Sequence, residues 1–178
     1  MTDTSIPDDL AVWRGERDAG RPNPWSEGLR LLADDEQPQA LDTSYLSAED
    51  LANPDIAANT RAIEETAALI TWVAEDRDEG TAIGYWRGPD DVPVAAAAIV
   101  SLDSEGQFQL LRGTTLSEAL SDEYGQWADE DYAQMIAHCR SLGVAISVDD
   151  PDDLPEPTVS PTPDEHHTAR YRELLAGG

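Results

Sequence analysis

Apolar positions divide the chain into stretches of helical and extended character. Ser47 stands before Ala48-Glu49-Asp50-Leu51 as a helix start, and Pro54 is placed to end that turn. From Asp55, the apolar positions Ile56, Ile63 and Ala67, with many alanines between, predict a helix to about Thr66. The character then changes. Leu69-Ile70-Thr71-Trp72-Val73 is β-branched and aromatic and predicts a buried strand, ending at the charged turn 75–80. Thr81 to Trp86 is the next strand. Arg87-Gly88-Pro89-Asp90-Asp91 forms a turn, because Pro89 fixes φ and Asp tolerates turn geometry. A third strand lies within Val94–Leu102, strongest at Ala98-Ile99-Val100. Asp103-Ser104-Glu105-Gly106 is a hairpin turn with Gly106 suited to positive φ. Gln107 to Leu111 alternates polar and apolar, as a half-exposed strand does.

Helical spacing returns at Thr115-Leu116-Ser117-Glu118, a capping box in which Thr115 caps and Glu118 reaches back. Leu116, Ala119, Leu120 and Tyr124 mark one face, and Gly125 is the stop. Asp129 is placed to cap a further helix whose face is Tyr132, Met135, Ile136 and Cys139, ending at Gly143. Val144 to Val148 reads as a short final strand. Between Asp149 and Glu165 lie seven acids and five prolines, the composition of an extended linker. Asp164 to Leu175 is helical in pattern. Residues 1–44 are punctuated by Pro, Asp and Gly. They read as a partly ordered arm whose Trp13 and Trp25 pin it to the domain. The pattern predicts an α+β fold: an antiparallel sheet of about four to six strands with helices packed mainly on one side. The expected division is an arm over 1–44, a domain over 45–148, and a linker with a helix over 149–178.

Charge alters the picture most. The chain of 178 residues carries 37 acidic against 11 basic residues, a formal net charge of −26, and every basic residue is Arg. A field of that sign disfavours direct contact with nucleic acid or anionic membranes and attracts basic proteins. The Lys-free, Ala- and Asp-rich composition also fits a GC-rich bacterial genome. The single cysteine, Cys139, excludes an intramolecular disulfide. The first residues lack the basic and apolar regions of a signal peptide, and no apolar run has the length of a membrane span, so the expected compartment is the cytoplasm.

The local wording of the middle of the chain resembles the SUKH superfamily. Trp72-Val73-Ala74-Glu75-Asp76 leads through an acidic glycine turn to Ile83-Gly84-Tyr85-Trp86. A Pro/Asp turn follows, then Ala98-Ile99-Val100-Ser101-Leu102-Asp103-Ser104-Glu105-Gly106, and Leu116-Ser117-Glu118-Ala119-Leu120 closes the unit. The resemblance covers about residues 68–124. The chain departs from it in lacking an evident N-terminal helix with a Leu-Pro element and in placing Ala-Leu where the family often has Phe-Leu. The resemblance implies a SUKH-like domain within 45–148 that acts by binding another protein. Many such proteins are bacterial immunity proteins that neutralise toxins by occlusion. It carries no catalytic residues and no cofactor.

Adjacent His166 and His167 point apart, which suits a solvated pair better than a metal site. The sequence Asp76-Arg77-Asp78-Glu79-Gly80 misses the register of a calcium loop, because its glycine arrives one position early. Cys139 falls on an apolar helical face beside His138, which points about 100° away and is a poor base for it. The expected binding surface combines the turns at the strand ends: Asp76, Asp78, Glu79, Asp90 and Asp91 supply charge, and Tyr85 and Trp86 supply aromatic anchors. The expected partner is a protein with a basic surface, such as a toxin domain. A regulatory interaction module without a toxin and a carboxylate-dependent hydrolase are the rival readings.

Overall fold

The computed structural model describes residues 6–125 and 129–177. Its elements, in chain order, are α1 (Asp8–Asp18), β1 (Leu29–Leu31), α2 (Ala48–Ala52), α3 (Pro54–Ala67), β2 (Ile70–Asp76), β3 (Thr81–Trp86), β4 (Ala98–Leu102), β5 (Phe108–Leu110), α4 (Leu116–Gly125), α5 (Asp129–Ser141) and α6 (Pro163–Gly177). The five strands form one antiparallel sheet in the order β1-β2-β3-β4-β5. This is the α+β arrangement that the pattern predicts.

Helices cover both faces of the sheet, where the sequence pattern had placed them mainly on one. Val73, Ile83, Tyr85 and Ile99 meet residues of α1, α4 and α5 on the first face. Ile70, Trp72, Ala82, Trp86, Val100 and Leu102 form the second face, packed with Ile63 and Ala67 of α3. The rings of α6 also reach this second face, at Trp86 and Phe108. Double cover explains why the central strands read as nearly continuous apolar runs. A side chain on either face of such a strand is removed from water. Gly84 in β3 has no room for a side chain. A Cβ there would lie 2.6 Å from Ile70 Cγ2 and 2.7 Å from the Thr71 carbonyl oxygen.

The N-terminal residues are built into the first face. The Trp13 indole N–H donates to Ser117 Oγ at 2.8 Å, and that of Trp25 donates to Ser121 Oγ at 3.0 Å. Ser117 and Ser121 stand one turn apart on α4, so one helical stripe receives both indoles. The rings also meet edge to face, with centroids 4.6 Å apart. Asp9 Oδ2 accepts both the backbone N–H and the hydroxyl of Ser117, at 3.0 and 3.1 Å. A carboxylate of α1 thus satisfies an otherwise orphaned donor in the first turn of α4.

Local boundaries differ from the sequence pattern at four places. Asn53 accepts the Asp55 N–H and Pro54 occupies the first position of α3, so Pro54 opens a helix rather than only ending one. β2 continues past Val73 to Asp76, because Glu75 and Asp76 find buried partners. Residues 144–148 form no strand. The Arg140 guanidinium takes the carbonyls of Ile146 and Val148, and Ser147 turns its N–H to Glu118. Residues 149–165 are tied down: Leu154 is buried, the Gly113 N–H donates to the Pro155 carbonyl, and the Trp86 indole donates to that of Pro161.

Replacing Ser117 by Ala leaves the Trp13 donor and the Asp9 carboxylate short of a partner in a buried setting. We expect a loss of about 1–3 kcal/mol in urea unfolding. Ser104→Ala, in an exposed turn, is expected to stay within about 0.5 kcal/mol of the parent.

Candidate protein-binding rim

A bulge in β2 organises one end of the sheet. The register jumps between Trp72, opposite Gly84, and Ala74, opposite Ile83, so Val73 and Ala74 both lean toward the first face. One extra residue exchanges the faces of all that follow. Glu75 therefore joins the second face opposite Ala82, and Asp76 joins the first opposite Thr81.

Both carboxylates are interior, at 3 % and 1 % exposure. Glu75 Oε2 accepts the Gln39 N–H at 2.8 Å, while Oε1 accepts from Arg30 Nε and Arg77 Nε, each at 2.9 Å. Burial pushes its carboxyl up, but the Gln39 N–H and the two guanidinium groups outweigh burial and hold it below its ordinary value. Arg30 also grips Glu36, whose carboxyl is pulled down to about 2 by that guanidinium and the Ala33 N–H. Asp76 Oδ2 accepts the Tyr124 hydroxyl at 2.7 Å, and its Oδ1 accepts the N–H groups of Asp78 and Glu79. Burial again pushes up, and these donors with Ser26 pull the carboxyl lower overall. Gly28 lies so close that a Cβ there would fall 2.5 Å from Asp76 Oδ1.

Asp76 is thus the internal brace of the β2–β3 turn and not a partner contact, which corrects the sequence reading. The turn it braces carries Asp78 and Glu79 into solvent. Gly80, at φ +68°, sits against the neighbouring β4–β5 turn, where its missing Cβ would lie 3.2 Å from that of Ser104. In that second turn Asp103 accepts the N–H groups of Glu105 and Gln107, and Glu105 is exposed. Residues 42–45 complete the rim. Asp42 and Tyr45 border a hollow of about 440 Å³ together with Arg77, Thr81 and Ser104. Tyr45 is 79 % exposed. The Ser44 N–H and hydroxyl hold the Asp42 carboxyl below its ordinary value.

The other predicted residues fall elsewhere. Tyr85 and Trp86 are both buried, each 3 % exposed, on opposite faces, and neither is available as an anchor. The alternation of a strand puts one on each face, and helices cover both. Asp90 and Asp91 are exposed at the far end of β3, roughly 17 Å away at 3.4 Å per residue. Asp91 there pairs with Arg87. The turns at the two ends of β3 are therefore separate surfaces. Sequence reasoning missed Tyr45, which sits among Thr, Ser and Leu without periodicity. The only signal was an aromatic residue in a stretch rich in Asp, Ser and Thr.

Other candidate chemistry is absorbed by packing. Cys139 is buried, and burial pushes its thiol up to about 11, away from a nucleophilic thiolate. Exposed His138 stacks near Trp13 on the first face, at a centroid distance of 6.1 Å. The basic stretch 14–21 is neutralised in place by the pairs Arg14–Asp34, Arg17–Asp18 and Arg21–Glu16. Among the described residues no group of three or more His, Cys, Asp or Glu is placed to hold a metal ion, and no helix is long and apolar enough to cross a membrane. Neither a family model, nor a curated protein, nor a solved structure matches the chain.

Tyr124→Phe removes the hydroxyl that Asp76 accepts. The expected cost is about 1.5–3 kcal/mol, read from urea unfolding at neutral pH. The lowered carboxyls of Glu75 and Asp76 also set a pH dependence. Their unfolded values are higher, near 4.5 and 3.8. The stability they add is therefore complete above those values and drains as pH falls through the folded ones. Their share of the urea midpoint, read as the difference between the parent and Glu75→Gln, is expected to hold level from neutrality down to about pH 5 and to decline below it. In Glu75→Gln the decline is expected to be shallower.

Proposed function

We propose that this chain is a non-catalytic protein-binding domain of SUKH type, a cytoplasmic immunity protein that neutralises a cognate basic toxin domain by covering its working surface. The observation that carries this reading is the rim. Asp78, Glu79 and Glu105 project into solvent from two abutting turns, beside a hollow flanked by the exposed Tyr45. The frame behind them is rigid, because Asp76 fixes the turn that displays them. On a short, braced turn the backbone is already ordered, so exposed carboxylates meet a cationic surface at the cost of side-chain freedom alone. The net charge of −26 extends the same preference over the whole molecule and steers a basic partner inward. A ring as exposed as Tyr45 has apolar area to bury and a hydroxyl to share, the mix that dominates interface energetics.

On this reading charge governs encounter and Tyr45 governs residence. The test begins with capture from the source cells on the immobilised chain. The variant Asp78→Asn/Glu79→Gln/Glu105→Gln is run in parallel, and any protein retained by the parent alone is purified. The association rate of that protein is expected to fall at least tenfold from low to high salt, and the triple variant is expected to lose most of this dependence. Tyr45→Ala is expected to quicken dissociation by about 30-fold, the equivalent of a 2 kcal/mol anchor. Co-expression of the chain should spare cells from the partner's toxicity. An acidic partner, or one bound equally by parent and triple variant, would sink the proposal.

A further inference from the structure

Helix α6 covers part of the second face, yet of its side chains only Pro163 is buried. It docks on α3 through polar tips. His166 Nδ1 lies 2.9 Å from Thr66 Oγ1, and His167 Nε2 lies 3.1 Å from Asn59 Oδ1. Arg170 Nε donates to Glu65 at 2.7 Å, and the Tyr171 hydroxyl reaches Asp55. The two imidazoles supply much of the ring contact with the sheet. His166 stands edge-on to Trp86 at 5.8 Å, and His167 is tilted against Phe108 at 5.9 Å. A helix held this way removes little apolar area from water and belongs to the least stable part of a structure. The chain leading to it is fastened upstream, at buried Leu154 and at the Gly113–Pro155 hydrogen bond, so residues 156–158 can act as its hinge, with Val159, packed on the second face, moving with the helix.

We propose that residues 156–177 form a latch, which lies closed on the second face while His166 and His167 are neutral and opens when they gain protons. Three features of the docked geometry disfavour the imidazolium. Both histidines lie in the first turns of α6, at the positive end of its dipole. Both rings are pressed among Trp86, Phe108 and α3, where a charge loses hydration. Arg170 follows His166 by one turn and adds a like charge.

Opposing groups are few. Glu65 of α3 and Glu173 favour a charge on His166, but Glu65 also serves Arg61 and Arg170, and Glu173 pairs with Arg170. Asp164 favours a charge on His167. Glu165 is turned to the Thr162 N–H, and Asp55 faces Tyr171. The sheet contributes uncharged Trp86 and Phe108. The negative field of the whole molecule pulls toward protonation but is screened beyond about 8 Å at physiological salt. Burial prevails, and both histidines sit below their ordinary value of 6.5. With the folded value below the unfolded one, docking is fully favoured above about 6.5 and weakens as pH falls through the folded value. Glu65, gripped by Arg170 and Arg61, is held below its ordinary carboxylate value by those guanidinium groups.

Hydrogen exchange of the full chain near pH 7.5 and 5.5, corrected for intrinsic rates, tests the latch. Protection of the α6 amides is expected to drop by about tenfold at the lower pH while β2, β3 and β4 keep theirs. The Trp86 indole N–H, bonded to Pro161, should lose protection together with α6. In His166→Gln/His167→Gln the difference between the two pH values should vanish, and in His138→Gln it should persist. The proposal fails if α6 is equally protected at both pH values, if it opens only together with the sheet, or if the double variant keeps the wild-type response.

Discussion

The fold turns on the polar side chains that α4 carries into the interior. Ser117, Glu118, Ser121 and Asp122 are all buried. A polar group withdrawn from water without a partner costs about as much as several good contacts return. Each of these four must therefore be met, and each is met by a different part of the chain. Asp9 and Trp13 come from α1, Trp25 from the loop after it, and Arg112 from the segment before α4. Glu118 takes the N–H and hydroxyl of both Thr114 and Ser147. These demands draw the N-terminal residues and the 144–148 segment onto one helix. They specify a single arrangement where apolar packing alone would tolerate several.

The same logic divides the acids of the molecule into two populations. Glu75, Asp76 and Glu118 lie inside and are surrounded by donors that make them structural. Arginine is spent in local pairs, as at Arg14, Arg21 and Arg112. The surplus of negative charge is consequently left on turns and helix surfaces. The β2 bulge links the populations: by sending Glu75 to one face and Asp76 to the other, it anchors the turn whose remaining acids look outward. Interior acids hold the shape, and exterior acids face whatever approaches.

Much of this was legible in the sequence. β3 was readable to the residue, β4 and β5 nearly so, because period and turn chemistry agree there. The apolar face of α5 was readable through Tyr132, Met135, Ile136 and Cys139, all of them buried. What escaped was whatever depends on a distant partner. Ser117 and Ser121 look like the wet side of an amphipathic helix until Trp13 and Trp25 arrive. Glu118 was expected to reach back to its own cap, and instead bonds Thr114 one residue earlier and Ser147 far downstream. The acidic run after Val73 reads as a solvated turn, because neither the bulge nor Arg30 is visible in the local pattern. Tyr85 and Trp86 read as aromatic anchors because the pattern places helices mainly on one face, and the second layer made by α3 and α6 is a tertiary fact.

Strand order equals chain order in the sheet, and this has a bearing on how the molecule forms. β2 to β5 join through successive neighbours, so the central meander assembles with short loop closures. β1 is different. It pairs with β2 only after a long excursion that contains α2 and α3, and its entropic cost of closure is the largest in the sheet. During synthesis β1 leaves the ribosome first and waits for its neighbour. The residues that secure it, Asp9, Trp13 and Trp25, wait longer still for α4. The N-terminal segment is thus made first and fastened late.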